Sequence, residues 1–293
     1  MQSLFNPIVG LGEVLWDLLS TGPRLGGAPA NFAFHASQLG TPAVVVSAVG
    51  KDELAEKTRQ QLEVSGLGFL FSTNSHPTGE VAVSVDDTGS ATYDIRPDVA
   101  WDYMELSKDM RQLAKSARTV CFGTLSQRSP VSRAAVREFL ENTSDACLRI
   151  CDINLRPPHY SAEVIEESIR LCNILKVSSD EQREINVLLG LNAESPIATS
   201  HLLLQRYGLH ILIVTCGEHG SHVYTPENHY FIPAKAVTLA DTVGAGDSFT
   251  GAFCAALLRG DSIRQAHQLA VEVAAHVCAH YGAMVAWPKR LTL

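Results

Sequence analysis

Short apolar runs alternate with longer segments of helical periodicity along most of this chain, and that rhythm constrains the fold more than any other feature. Residues 7–11, 43–49, 69–71, 119–122, 148–152, 174–177 and 211–214 are brief runs rich in Val, Ile and Leu. Strands that are apolar on both faces belong to a parallel sheet covered by helices on each side. Between them lie helical stretches with recognisable ends. One opens after Gly26-Gly27, carries Pro29 in its first turn and stops at Gly40. The next is capped by Asp52, spans 53–65 and halts at Gly66. Others cover 107–116, 131–142 and 162–172, and a final Ala-rich helix runs from Ile263 to about Tyr281, ending at Gly282. The expectation is an α/β chain whose mostly parallel central sheet is flanked by helices.

The rhythm breaks once. Residues 80–85 and 90–95 alternate in strand fashion around Asp86-Asp87-Thr88-Gly89, which reads as a β-hairpin. A hairpin inserted into a βα chain builds a small sheet of its own. Residues 221–224 and 229–232 read as two antiparallel strands at one edge of the main sheet. With no long linker, internal repeat or low-complexity tract, one core is expected.

Lys plus Arg is 23 and Asp plus Glu is 31, a net charge of −8. That balance disfavours nonspecific nucleic-acid binding, which needs basic surface. No apolar stretch is long enough to span a membrane, and the first residues lack a basic region and a cleavage-type tail. The seven cysteines are odd in number with no C-x-x-C pair, so neither a disulfide framework nor a zinc site is expected. A reduced, cytoplasmic setting fits. There is no G-x-x-x-x-G-K-[ST] loop, no dinucleotide fingerprint and no H-E-x-x-H pair, and none of the eleven histidines stands out.

Asp241-Thr242-Val243-Gly244-Ala245-Gly246-Asp247 precedes an apolar helical run, 248–258. Backbone N–H groups at a helix start have no intrahelical partner, and two glycines leave them unshielded. With the helix dipole they form a site for an anion, most simply a phosphate. Asp247 beside such a site repels the anion unless it has a task of its own. Either it takes the proton of an attacking hydroxyl, or it caps the helix. A basicity kept low by the positive field around it is expected.

Four other stretches carry candidate polar groups. Asp17 is a lone carboxylate in an apolar neighbourhood, either solvated at a turn or held by partners. Gly26-Gly27 lets backbone approach a ligand closely, and Asn31 in the following first turn offers a donor and an acceptor. Asp152-Ile153-Asn154-Leu155-Arg156 lies at the carboxyl end of a predicted strand, where open α/β sheets place ligands. There Arg156 either meets a ligand or pairs with Asp152. Thr215-Cys216-Gly217-Glu218-His219-Gly220 turns out of a buried strand.

Taken together, DTVGAGD, G-G-A-P-A-N at 26–31 and the intervening order resemble the ribokinase-like carbohydrate kinases of the PfkB family. The resemblance spans nearly the whole chain. It implies a ribokinase-like three-layer α/β fold with one core, approximately 1–12, 26–77 and 104–293, and a β lid, approximately 13–25 and 78–103. It implies an ATP-dependent kinase that phosphorylates a sugar hydroxyl, with Asp247 as base and the N–H groups of 244–247, including Gly244, Ala245 and Gly246, as anion hole. Asp17, Gly26, Gly27, Asn31, Asn154 and Arg156 would hold the sugar. Tyr93 and Arg96 would either reach it from the lid or form a subunit contact, making a homodimer. Thr215, Gly217, Gly220 and Ala279 would meet ATP.

The family's usual N-x-x-E reads Ser178-Ser179-Asp180-Glu181, so Glu181 is the residue expected to organise Mg2+-bound water, unless Asp180 and Glu181 simply begin a helix. A monovalent cation, K+, is implied near Asp241 and Val243. Ala28 stands where some relatives that act on ribose or phosphosugars carry Lys, which favours an unphosphorylated acceptor. G-G-A-P-A-N has the form found in fructokinases, and D-x-N-x-R-P-P occurs in these and in 2-keto-3-deoxygluconate kinases. Fructose is thus the first expectation, 2-keto-3-deoxygluconate the second. A nucleoside kinase or a noncatalytic sugar-binding regulator would follow.

Overall fold

The structure, a computed structural model, describes residues 6–19, 22–85 and 91–288, without the side chains of 83–85 and 91–93. The expected hairpin turn at Asp86–Gly89 lies outside the described residues.

The chain begins with β1 (Ile8–Leu11), β2 (Leu15–Leu19), β3 (Gly22–Gly26), α1 (Ala28–Ser37), β4 (Ala43–Val49), α2 (Glu53–Val64) and β5 (Gly68–Thr73). It continues through β6 (Gly79–Val85), β7 (Ala91–Ile95), α3 (Lys108–Ser116), β8 (Thr119–Phe122), α4 (Pro130–Glu141), β9 (Leu148–Asp152), α5 (Ala162–Leu171) and β10 (Ile174–Ser178). The remainder is α6 (Ser179–Leu188), α7 (Pro196–Tyr207), β11 (Ile211–Thr215), β12 (Ser221–Tyr224), β13 (His229–Ile232), α8 (Ala245–Arg259) and α9 (Ile263–Cys278).

The large sheet has the order β13-β12-β11-β10-β9-β8-β1-β4-β5. It is parallel from β11 to β5, and β12 and β13 close one edge in antiparallel fashion. Successive strand residues serve opposite layers. Val9 and Leu11 join a core with α3, α4 and α5, whereas Ile8 joins the other with α1, α8 and α9. Both faces are therefore covered, which is why the strands read as continuous apolar runs.

From β1 the chain first builds outward through β4 and β5, and then returns to build β8 to β11 on the other side. Strand order thus reverses at β1, and the loops leaving β1 and β8 diverge. This opens a crevice at the carboxyl edge of the sheet.

The small sheet has the order β3-β2-β6-β7, with β2 parallel to β6 and the outer pairs antiparallel. Leu15, Val81 and Ile95 of this sheet pack with Val99, Trp101 and Leu125 over that crevice. Asp52 caps α2 as expected, accepting from the Ala55 N–H at 2.9 Å, and its other oxygen accepts from the Thr78 N–H at 2.7 Å. Helix α7 has no counterpart in the sequence reading: PIATSHLLLQRY leaves Ile197 and Leu202 exposed, so its apolar pattern does not mark one face. Among the described residues no helix is long and apolar enough to cross a membrane.

Candidate active site

Helix α8 begins at Ala245, three residues earlier than expected, so Asp247 lies inside its first turn instead of before it. Gly244 caps it in the left-handed region, φ 76°, without a side-chain cap bond. A Cβ there would be 2.7 Å from the Ala283 Cβ, so both conformation and space require glycine. The Ala245 N–H donates to the Thr242 carbonyl at 3.2 Å. Among the described residues, the N–H groups of Gly244, Gly246 and Asp247 have no intramolecular acceptor. Three free donors at a helix N-terminus make an anion cradle.

The Asp247 carboxylate is half-buried and accepts from Asn31 Nδ2 at 2.8 Å. Asn31 projects from α1, which crosses α8 closely: a Cβ on Gly251 would lie 2.8 Å from the Phe32 carbonyl. Burial pushes the Asp247 carboxyl up to about 6, and the charge of Asp152 adds to this. The Asn31 bond, Lys176 and Arg156 oppose it. The low basicity expected from sequence is therefore not found in the protein alone. Desolvation in the crevice outweighs the positive groups around it.

Asp247 forms one end of a cavity of about 310 Å³ that also touches Asp17, Gly27, Asn31, Asn154 and Arg156. Asp17 comes from β2, and its carboxyl is pushed up to about 6 by burial, opposed by Arg156. Its Oδ2 lies 2.5 Å from where a Cβ on Gly26 would stand, so Gly26 makes room for this carboxylate. Gly27 caps α1, its carbonyl accepting from the Ala30 and Asn31 N–H groups at 3.0 Å each. The Asn31 Oδ1 is buried without a partner. Asn154 adopts φ 47° just beyond β9. Arg156 donates to the Leu155 carbonyl at 3.1 Å and makes no ion pair among the described residues. Asp152 is held by Lys176 Nζ at 3.0 Å and by Thr250 Oγ1 at 3.2 Å, so it is not a partner of Arg156.

A second, larger cavity of about 750 Å³ also reaches the start of α8, touching Thr215, Gly217, Gly220, Phe249, Ala275 and Cys278. The two cavities share Thr242 and Gly246. A substrate in each would meet at the free N–H groups of α8.

Residues 15–290 match the description "pfkB family carbohydrate kinase". The chain belongs to this family. It is accordingly a phosphotransferase with an alcohol acceptor, and its fold is ribokinase-like. It is 32% identical to the Arabidopsis thaliana protein named probable fructokinase-5, over 87% of this chain and 84% of that one. It is 28% identical to Salmonella typhimurium fructokinase, over 84% of this chain and 83% of that one. In three dimensions it matches Vibrio cholerae fructokinase, solved with fructose, ADP and calcium, with a TM-score of 0.82 at 21% identity, over 99% of this chain and 98% of that one.

Other expected site residues of this kinase lie at varied distances from the two cavities. Ala279 caps the end of α9, one residue beyond the lining residue Cys278, and is not itself in the cavity wall. Arg96 points outward and pairs with Glu80, with 57% of its side chain exposed. The Tyr93 side chain lies outside the described residues. Glu181 forms a capping box with Ser178: its Oε2 accepts from the Ser178 N–H at 2.7 Å and its Oε1 from the Leu155 N–H at 2.8 Å. It thus ties the end of β10 to the loop after β9. Asp241 accepts from the Val243 N–H and the Gly282 N–H, both at 3.0 Å.

Two polar groups of the smaller cavity went unnoticed in the sequence. Glu13 follows β1, is 2% exposed and has an unpartnered Oε2. Burial pushes its carboxyl up to about 7, opposed by its backbone hydrogen bond. Lys176 is buried within β10, where an apolar residue would be usual, and its Nζ would be 2.9 Å from a Cβ on Gly246. The available signal was a charged residue inside a predicted buried strand, which demands a partner.

Proposed function

We propose that this kinase transfers the γ-phosphoryl group of ATP to a hydroxyl of fructose. The observation that carries the reading is the juncture of the two cavities at α8, with three free N–H donors and one carboxylate of raised pKa. The sugar hydroxyl donates its proton to Asp247, and its oxygen forms a bond to the γ-phosphorus. The bond from that phosphorus to the β,γ-bridging oxygen breaks, and ADP leaves. The N–H groups of Gly244, Gly246 and Asp247 stabilise charge on the phosphoryl oxygens in flight. Asp17, Asn31 and Asn154 hold the other hydroxyls. The side-chain Oδ1 of Asn31, without a partner among the described residues, would accept from one of them. The small sheet over the crevice excludes water that would otherwise accept the phosphoryl group.

Mg2+ bound with ATP supplies charge neutralisation on the phosphates. Glu181 fits the task of holding its water, since each carboxylate oxygen accepts one backbone N–H and keeps a second lone pair. Likeness to fructokinases and the three carboxyls of the acceptor cavity support an uncharged polyol over an anion. A second reading, 2-keto-3-deoxygluconate, is favoured by one observation: the guanidinium of Arg156, in no ion pair among the described residues, suits a carboxylate. ADP release with ATP and Mg2+ over a panel of sugars tests both. Fructose is expected to exceed 2-keto-3-deoxygluconate in kcat/KM by about tenfold or more, a margin of about 1.4 kcal/mol. The reverse ranking would transfer the assignment to the keto acid.

A further inference from the structure

His35 is fully buried in α1, four residues after Asn31 and so on the same helix face. Both of its ring nitrogens are engaged. Trp287 Nε1 donates to His35 Nδ1 at 2.9 Å, and His35 Nε2 lies 2.7 Å from the Ala283 carbonyl oxygen. An indole nitrogen only donates and a carbonyl only accepts, so a single arrangement satisfies both. The imidazole is neutral, with its proton on Nε2 donated to Ala283. Burial agrees with this, pushing the group down to about 4. The rings of His35 and Trp287 are near parallel, at 20°.

The segment so held, residues 282–287, lies against the turn that opens α8. The Ala283 carbonyl oxygen would be 3.0 Å from a Cβ on Gly244, and the Ala283 Cα 2.8 Å. Next to it, the Gly282 N–H donates to Asp241, whose other oxygen accepts from the Val243 N–H. The segment therefore braces the 241–244 turn, and its residues are not among those that line the two cavities. A leucine or phenylalanine at 35 would fill the same space but could not join an indole N–H to a carbonyl.

We propose that His35 is a positioning residue for phosphoryl transfer, which sets the N–H cradle of Gly244, Gly246 and Asp247 by clasping residues 282–287 to α1. Helix α1 then fixes both halves of the reacting centre. Asn31 holds the carboxylate of Asp247, and His35, one turn later, holds the backbone behind the cradle. The inference rests on the reading that this cradle receives the transferred phosphoryl group. Displacing it by a fraction of an ångström weakens donors that act in the transition state, so the loss falls on kcat and not on sugar binding.

The test compares His35→Leu, His35→Gln and Trp287→Phe with Asp247→Asn, measuring kcat, both KM values and the melting temperature, with kinetics run well below melting. His35→Leu removes both bonds at similar volume and is expected to lower kcat about tenfold or more, with KM for sugar within about twofold. His35→Gln restores a donor toward Ala283 and should recover most of the loss. Trp287→Phe removes only the indole N–H and should fall between. A folded His35→Leu with wild-type kcat, a loss confined to sugar KM, or no recovery in His35→Gln overturns the proposal. If His35→Leu does not fold, Trp287→Phe decides: a lowered kcat at unchanged sugar KM supports the clasp, and a normal kcat overturns it. Normal turnover in Asp247→Asn would instead remove the underlying reading of the site.

Discussion

Replacing Asn31 by leucine should move the acid limb of the activity profile upward. Asn31 is buried, and its Nδ2 donates to the Asp247 carboxylate at 2.8 Å. Leucine has a similar outline, removes the donor and admits no water in its place. A hydrogen bond to a charged group contributes about 1.5–3 kcal/mol. At 1.36 kcal/mol per pKa unit this amounts to about 1–2 units. Asp247 stands at about 6 in the wild type. The base works only when ionised, so raising its pKa depletes the active form at neutral pH. For a move from about 6 to about 7.5, the ionised fraction at pH 6.5 falls from about three quarters to about one tenth. The assay is kcat/KM for the sugar from pH 5 to 9.5, read by ADP release at saturating ATP. Lost sugar contacts lower the whole curve, whereas the pKa effect moves its acid limb. Parallel curves with the same acid limb would refute the reasoning, because the Asn31 bond would then not govern the base.

Two further outcomes follow from buried charge. Lys176→Met leaves Asp152 buried beside only Thr250, and stability should fall by about 3 kcal/mol or more, read as a lower urea midpoint; an unchanged midpoint would show that the pair contributes nothing. Glu13→Gln should raise the melting temperature at pH 8.5 but not near pH 4. The folded-state pKa of Glu13 is raised to about 7 from 4.5, so its contribution is fully present below the unfolded value and is lost as pH rises through about 7. An equal gain at both pH values would refute the buried-charge explanation.

Much of the architecture was legible because this sheet is buried on both faces. Runs such as AVVVSAV in β4 have no polar face to blur them, and Gly40, Asp52 and Gly66 marked helix ends. Helix α7 escaped because half-exposed Ile and Leu, mixed with Ser and Thr, dilute the period. At the site, unpaired N–H groups at a helix start were legible from the two glycines of the heptapeptide, although the structure begins α8 at Ala245 and pairs the Ala245 N–H with Thr242. The basicity of Asp247 was not, because it depends on how much water the folded crevice excludes. Glu13 was hidden for the same reason, since a single carboxylate just past a strand looks solvated until the neighbouring elements are in place, whereas Lys176 inside β10 carried a signal of burial but none of its partner Asp152, which lies on the adjacent strand. His35 offered no local signal at all, since its partners are Ala283 and Trp287, far along the chain.

The central claim is that Asp247 is the base of a sugar kinase, and Asp247→Asn tests it most directly. Asparagine keeps the volume and can still meet Asn31, and it removes a carboxylate that burial disfavours. The account predicts that kcat falls about 10²–10⁴-fold, while the melting temperature at pH 7.5 is unchanged or higher and ATP still binds. Near-normal kcat in the same folded variant would contradict it.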